Sequence, residues 1–241
     1  MGRFDNINAV VTGASGGVGS ALSLGLAREG ARLLLAGRSG ERLEALAAAV
    51  RGAGTPPIVL ACDLTEAVAA ERLATLVDTK LGGVDLLVHG IGAFSSTPVG
   101  ETTPEEFDRL YQVNTRAPFL VTRALLPGLC ARQGQIAFVN SSVGLKARRG
   151  VGPYAASKHA LRAVADALRD EVNALGVRVL SIYLGRTATP MQEAVHRLEG
   201  AAYRPELLLQ PQDVAEAILD ALSLPRSAEV TDLHLRPMRR G

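Results

Sequence analysis

"VVTGASGGVGSALSLGLAREG", residues 10–30, leads from two valines through glycines at 13, 16, 17 and 19 into a pattern of helical period. Glycine lets a chain turn sharply between a strand and a helix. It also lets backbone N–H groups at the positive end of the helix come close to a pyrophosphate. A glycine string alone is weak evidence, and its surroundings decide the reading. The apolar run "INAVVT" (7–12) precedes it and "ARLLLAG" (31–37) follows its helix, so the order is strand, loop, helix, strand.

The alternation continues along the chain. Further strands are expected at "PIVLACD" (57–63), "VDLLVHG" (84–90), "QIAFVN" (135–140), "VRVLSIY" (177–183) and "EVTDLHL" (229–235). Between them lie helical patterns at 17–29, 41–53, 66–80, 104–130, 153–175 and 211–223, and "TTPEEF" (102–107) offers a capping threonine, a first-turn proline and two acids. Repeated βαβ units predict an α/β protein. Its Rossmann-like, doubly wound parallel sheet has about seven strands with helices on both faces, in one domain over residues 1–241.

The composition narrows the function. The 241 residues are 47% hydrophobic, enough for a substantial core, and the net charge is +2. No basic block interleaved with aromatics appears, which argues against nucleic acid. Cys62 and Cys130 lack metal-ligand spacing and read as buried free thiols of a cytoplasmic protein, while His89, His159, His196 and His234 are scattered, so no metal is expected. No apolar stretch without a charge reaches membrane-spanning length, and "MGRFDNINAVVTG" carries no signal-type apolar core, so no membrane association is expected.

At the end of the second strand an acid would bind the adenosine ribose of NAD, but this chain has Gly37, Arg38 and Ser39. Without the carboxylate a 2′-phosphate meets no repulsion, and an arginine fork can hold it, so NADP(H) is favoured with NAD(H) possible. In "GPYAASKHA" (152–160), Tyr154 and Lys158 are spaced to share a helix face.

Together these residues resemble the short-chain dehydrogenase/reductase family along nearly the whole chain. "TGASGGVG" is similar to its cofactor loop through Thr12, Gly13, Gly17 and Gly19, and "CDLT" to the segment whose aspartate, Asp63, approaches the adenine. "VNT" supplies Asn114, "VNSSVG" supplies Ser141 with Ser142 as the adjacent alternative, and "YAASK" supplies Tyr154 and Lys158. "LGRTATPM" resembles the segment near the nicotinamide, with Gly185 and Thr189. The family's spacing of 13 residues from serine to tyrosine selects Ser141.

The resemblance implies a catalytic set of Asn114, Ser141, Tyr154 and Lys158. It implies cofactor contacts at Gly13, Ser15, Gly17, Val18 and Gly19, at Arg38, Ser39, Asp63 and Leu64, and at Gly92, Gly185, Thr187 and Thr189, besides Tyr154 and Lys158. Tyr154 would protonate a carbonyl oxygen as hydride reaches its carbon, with Lys158 and the oxidised nicotinamide pulling its pKa toward neutrality. Lys158 would also hold the nicotinamide ribose, Ser141 would bind the substrate oxygen, and Asn114 would hold a water linking Lys158 to solvent. Two positions depart from the family: His89 in "HGIG" replaces an asparagine and reads as a hydrogen-bonded structural residue, and Leu184 replaces a proline.

The expected substrate is a small carbonyl or alcohol, walled by loops at 93–98 and 143–152 and by the stretch after Thr189. Lys146, Arg148 and Arg149 could attract an anion or form a solvated loop. The resemblance implies a homodimer or homotetramer through the helices at 104–130 and 153–175, where Phe107, Leu110, Leu161 and Leu168 could serve core or interface. The competing readings are an NAD(H)-preferring dehydrogenase, a non-catalytic dinucleotide sensor on the same fold, and a scaffold protein.

Overall fold

The computed structural model describes residues 2–238. Seven strands form one sheet among them: β1 (Asn8–Thr12), β2 (Arg32–Gly37), β3 (Ile58–Ala61), β4 (Leu86–His89), β5 (Gln135–Ser141), β6 (Arg178–Leu184) and β7 (Asp232–Leu235). Their order is β3-β2-β1-β4-β5-β6-β7, and every pair is parallel. Successive β2 residues show why the sheet is apolar throughout. Leu33 and Leu35 enter the core on one face, and Leu34 and Ala36 enter the core on the other.

The first core is closed by α1 (Gly17–Arg28), α2 (Gly40–Ala53) and, near the carboxyl end of the chain, Pro211–Leu222, with Leu22, Leu26, Leu43, Val214 and Ile218 all buried. The second is closed by α3 (Ala67–Leu76), by the Ala117–Ala131 part of the helical stretch that begins at Pro104, and by Gly152–Val172. The 104–131 stretch is interrupted: α4 (Pro104–Tyr111) passes through a π turn at Gln112–Arg116 into α5 (Ala117–Ala131). Thr103 caps α4, its hydroxyl accepting from Glu106 N at 3.3 Å. Gly152–Val172 is α6.

One element departs from the expectation. The stretch after Thr189, read as a loop, contains helix α7 (Pro190–Leu198), followed by α8 (Pro211–Leu222). The signal was present in "TPMQ": Thr189 Oγ1 accepts from Gln192 N at 3.2 Å and Pro190 opens the first turn. Cys62 and Cys130, expected buried, are half-buried and unpaired.

The chain leaves β1 toward β2 and β3, then returns to β4 on the other side, so the strand order reverses between β1 and β4. Such reversal points leave a crevice at the carboxyl ends of the strands. Gly13, after β1, lies against Gly90, after β4: a Cβ on Gly13 would stand 2.5 Å from the Gly90 carbonyl carbon, and its φ is +64°. Glycine is required there on both counts.

Candidate active site

The crevice is lined at its β1 side by the amino end of α1. Gly16 caps that helix without a side-chain hydrogen bond, and no acid stands in its first turn. The N–H groups of Gly17, Val18 and Gly19 therefore form a positive end with no acid in the helix's own first turn. Ser15 is half-buried and its Oγ faces the end of β2, 3.6 Å from where a Cβ on Gly37 would stand. A side chain on Gly19 would run into Gly13 O at 2.4 Å, and one on Gly17 into the Thr189 methyl at 2.5 Å. This close-walled cradle of backbone donors fits a dinucleotide pyrophosphate.

Arg38 is exposed beyond β2, and Ser39 caps α2 by accepting from Arg42 N at 3.4 Å. Asp63, after β3, accepts from Thr65 N at 3.0 Å and Thr65 Oγ1 at 2.8 Å. The Thr65 N–H, with its hydroxyl and the Arg38 charge, holds the Asp63 carboxyl below the usual range against a smaller effect of burial. Leu64 is a core residue, so it can reach a ligand only through its backbone.

Four elements converge beyond β4 and β5. Asn114 sits in the π turn with no solvent exposure, and its Oδ1 accepts from Ala93 N at 2.8 Å. Its Nδ2 donates to Ala93 O and to Ser157 Oγ, each at 2.9 Å. Tyr154 lies in the first turn of α6, packed with Ala93, Leu110, Val113 and Val143, and Phe94 meets its ring edge-on at 5.0 Å. Ser141, the last residue of β5, lies beside the Tyr154 hydroxyl, and its N–H is fixed by Asn140 Oδ1 at 2.7 Å.

Lys158, one helical turn after Tyr154, is 4% exposed and donates to Val139 O at 3.3 Å. Burial alone brings its pKa down to about 8, and no charged neighbour opposes this. An ammonium has three donors, so a buried one with a single acceptor among the described residues is under-satisfied. Gly92 faces it: a Cβ there would stand 3.9 Å from Lys158 Nζ and 3.5 Å from Asn114 Oδ1. Ribose hydroxyls would satisfy that ammonium.

Burial holds the Tyr154 phenol above its ordinary pKa, with the Ser141 hydroxyl pulling the other way. Lys158 does not enter this balance, which departs from the expectation that its cation lowers the phenol. Desolvation of the phenolate is the dominant influence among the protein's own groups.

After β6, Gly185 N donates to Leu235 O at 2.8 Å, and Thr187 Oγ1 donates to Gly185 O at 3.1 Å. Leu184, the residue in the proline's place, ends β6 in register with Ser141 and Leu235. The segment thus runs from beside Ser141 to the glycine loop, where Thr189 packs on Gly17. Reading the sequence gave no role to Asn140 and Ser157, and placed Ala93 and Phe94 only in the pocket-wall loop at 93–98. Three are ordinary residues whose role arises from packing, and Ser157 lay within "YAASK" without a role of its own. It also missed Arg186, which bonds both oxygens of Glu199 at 3.0 and 2.9 Å and reaches His196 Nε2 at 3.4 Å.

His89 is 1% exposed, bonded through Nε2 to Thr122 Oγ1 at 2.8 Å and stacked on Phe138 at 4.8 Å. Burial takes its pKa down to about 3, so the ring is neutral. It stands as a structural brace. Among the described residues no cluster of three or more His, Cys, Asp or Glu could hold a metal, and no helix is long and apolar enough to cross a membrane.

A profile of the short chain dehydrogenases matches residues 7–199. The chain belongs to the short-chain dehydrogenase family. An uncharacterized oxidoreductase of Staphylococcus epidermidis is 31% identical over 239 residues, which cover 99% of this chain and all of that protein. The glycine betaine reductase of Emericella nidulans is 33% identical over 95% of this chain, which spans 18% of that longer protein. Among solved structures, a short chain dehydrogenase of Shigella flexneri complexed with NADP superposes with a TM-score of 0.89. It shares 30% identity, covering 96% of this chain and 98% of that one. This membership in a family of oxidoreductases gives the glycine cradle and the Tyr154–Lys158 pair a common context.

Proposed function

We propose that this short-chain dehydrogenase transfers a hydride between NADP(H) and the carbonyl or hydroxyl group of a small molecule. The observation that carries the reading is Lys158: a buried ammonium with one protein acceptor, one helical turn from a buried tyrosine, in the crevice that also holds a bare helix amino end. The first turn of α1 would hold the pyrophosphate, with Gly13, Ser15, Gly17, Val18 and Gly19 shaping its cradle. Arg38 and Ser39 would hold the 2′-phosphate, Asp63 and the Leu64 backbone would lie by the adenine, and Gly92, Gly185, Thr187 and Thr189 would border the nicotinamide. When bound, the nicotinamide supplies or accepts the hydride.

The protein's own groups handle the proton. Burial keeps the Tyr154 phenol protonated at neutral pH, the state that can donate to a carbonyl oxygen as negative charge develops there. Ser141 donates a hydrogen bond to the same oxygen and stabilises that charge. Lys158 binds ribose hydroxyls and returns a proton toward Tyr154. Both Asn114 N–H donors are engaged within the protein, so its side chain can hold a relay water only through the second lone pair of Oδ1, which faces the same glycine as Lys158 Nζ.

The NADP complex of the Shigella relative supports the cofactor choice. The apolar helix positions divide in a way that supports a homo-oligomer. Leu110, Leu161 and Leu168 are buried, while Phe107, Tyr111 and Phe119 are exposed along α4 and α5, and Phe107 lines an open groove of about 400 Å³ with Val99, Pro153 and Ala156.

The experiment is binding of NADPH and NADH followed by fluorescence, with aldehydes and ketones then added while nucleotide oxidation is watched. Tyr154→Phe should bind NADPH within about threefold of the parent yet lose about 10²-fold or more in kcat. Preserved turnover in that variant would remove Tyr154 as the acid, and failure to bind either nucleotide would overturn the reading of the glycine loop.

A further inference from the structure

Three buried side chains join the ends of three elements through hydrogen bonds whose directions are forced. Ala93 follows β4 and offers both backbone groups to Asn114, its N–H to Oδ1 at 2.8 Å and its carbonyl to Nδ2 at 2.9 Å. That reciprocal pair fixes which end of the amide is oxygen, so Asn114 cannot flip. The second Nδ2 hydrogen then points to Ser157 Oγ at 2.9 Å. Ser157 must spend its only hydrogen elsewhere, and Tyr154 O lies 2.7 Å away. Thr115 Oγ1 closes the ring by donating to Ser157 O at 2.8 Å. The serine is 3% exposed, Thr115 2% and Asn114 fully buried, so water cannot replace a lost partner.

We infer that Ser157 is a positioning residue of the active site, the pivot that fixes the backbone of Tyr154 relative to Asn114 and to the Gly92–Ala93 loop facing Lys158. Its oxygen hydrogen-bonds both the asparagine amide and the tyrosine carbonyl. Its place between Tyr154 and Lys158 lets one hydroxyl set the first turn of α6 against the π turn. This inference rests on the reading of Tyr154 as the acid. It adds that the acid's placement depends on a hydroxyl that touches neither substrate nor cofactor.

The test uses the full chain and the carbonyl with which it turns over fastest. Ser157→Ala should lower kcat about 10- to 100-fold, the scale of a misplaced catalytic group, and leave the NADPH dissociation constant within about threefold of the parent. Amide exchange at Ala93 should quicken as Asn114 loosens. Ser157→Thr and Ser157→Val have nearly the same shape and differ in the hydroxyl, so their kcat ratio isolates the hydrogen bonds even where the alanine variant folds poorly. A ratio of about tenfold or more in favour of threonine is expected on the same grounds. A ratio near one, or a fall in kcat matched by an equal loss of NADPH affinity, overturns the inference. Preserved turnover in Tyr154→Phe overturns the reading of Tyr154 and this inference with it, whereas an inactive Tyr154→Phe beside an indifferent Ser157 series overturns this inference alone.

Discussion

Under the proposed function, Arg38 is the side chain that would set cofactor choice. It lies exposed at the end of β2, close enough to Asp63 for its charge to help keep that carboxyl ionised. A 2′-phosphate would meet a guanidinium there and no carboxylate directly after the strand. Arg38→Ala should therefore weaken NADPH binding by about 1.5–3 kcal/mol, roughly 10- to 150-fold, and leave NADH binding within about twofold. Titration of both nucleotides checks this, and equal effects on the two would assign Arg38 to the surface. Residues at this scale were legible in the sequence when their chemistry is unusual for their position: a tyrosine and a lysine on one helix face, an arginine in place of an acid. Ala93 and Asn140 carried no such mark, because they act through contacts that any similar residue could make elsewhere.

Helix α7 belongs to the next scale. Its amino end is fixed by the Thr189 cap, and the base of the excursion is pinned where Ala188 N donates to Leu209 O at 2.8 Å and Leu209 N to Arg186 O at 3.1 Å. Arg186 then reaches across to Glu199 at the far end of the helix and to His196, whose Nδ1 lies 2.8 Å from Gln192 O and whose ring meets Tyr203 edge-on at 5.3 Å. The Arg186–Glu199 pair is partly exposed, so removing it should cost about 1 kcal/mol or less in global stability. Its effect on α7 should be larger. Arg186→Ala is expected to speed amide exchange across residues 190–198 and raise the substrate KM several-fold while lowering Tm by no more than about 4 °C. Unchanged exchange in that helix would show that the cap and the Leu209 pairing suffice. The helix itself was foreshadowed by "TPMQ", but the bond from 186 to 199 was not, since thirteen residues of sequence separation say nothing of which way a helix returns.

At the scale of the whole molecule, His89 ties the middle of the sheet to α5 and makes stability depend on acid. The ring is neutral in the fold, with a pKa pushed down to about 3, whereas an unfolded histidine takes up a proton near 6.5. The unfolded chain therefore binds more protons between these values. The stability associated with the neutral ring is complete above pH 6.5 and is lost as the pH falls toward 3, by up to about 5 kcal/mol. His89→Asn should lower Tm at pH 7 through lost stacking on Phe138, yet flatten its fall between pH 6 and 4; an equally steep fall would assign acid sensitivity to carboxyls such as Asp63 and Glu106. The sequence by itself determined the alternation of strand and helix, the parallel sheet and the position of the glycine loop, because hydrophobic period and glycine spacing are local properties of the chain. It also marked Tyr154 and Lys158 as neighbours, since four residues in a helix fix a shared face. Only the tertiary structure decided that Asn114 clamps Ala93 and Ser157, that Lys158 is buried with one acceptor, and that burial holds the Tyr154 phenol above its ordinary pKa. Those facts depend on which surfaces lose water when the elements close on one another, and desolvation is a property of the packed molecule.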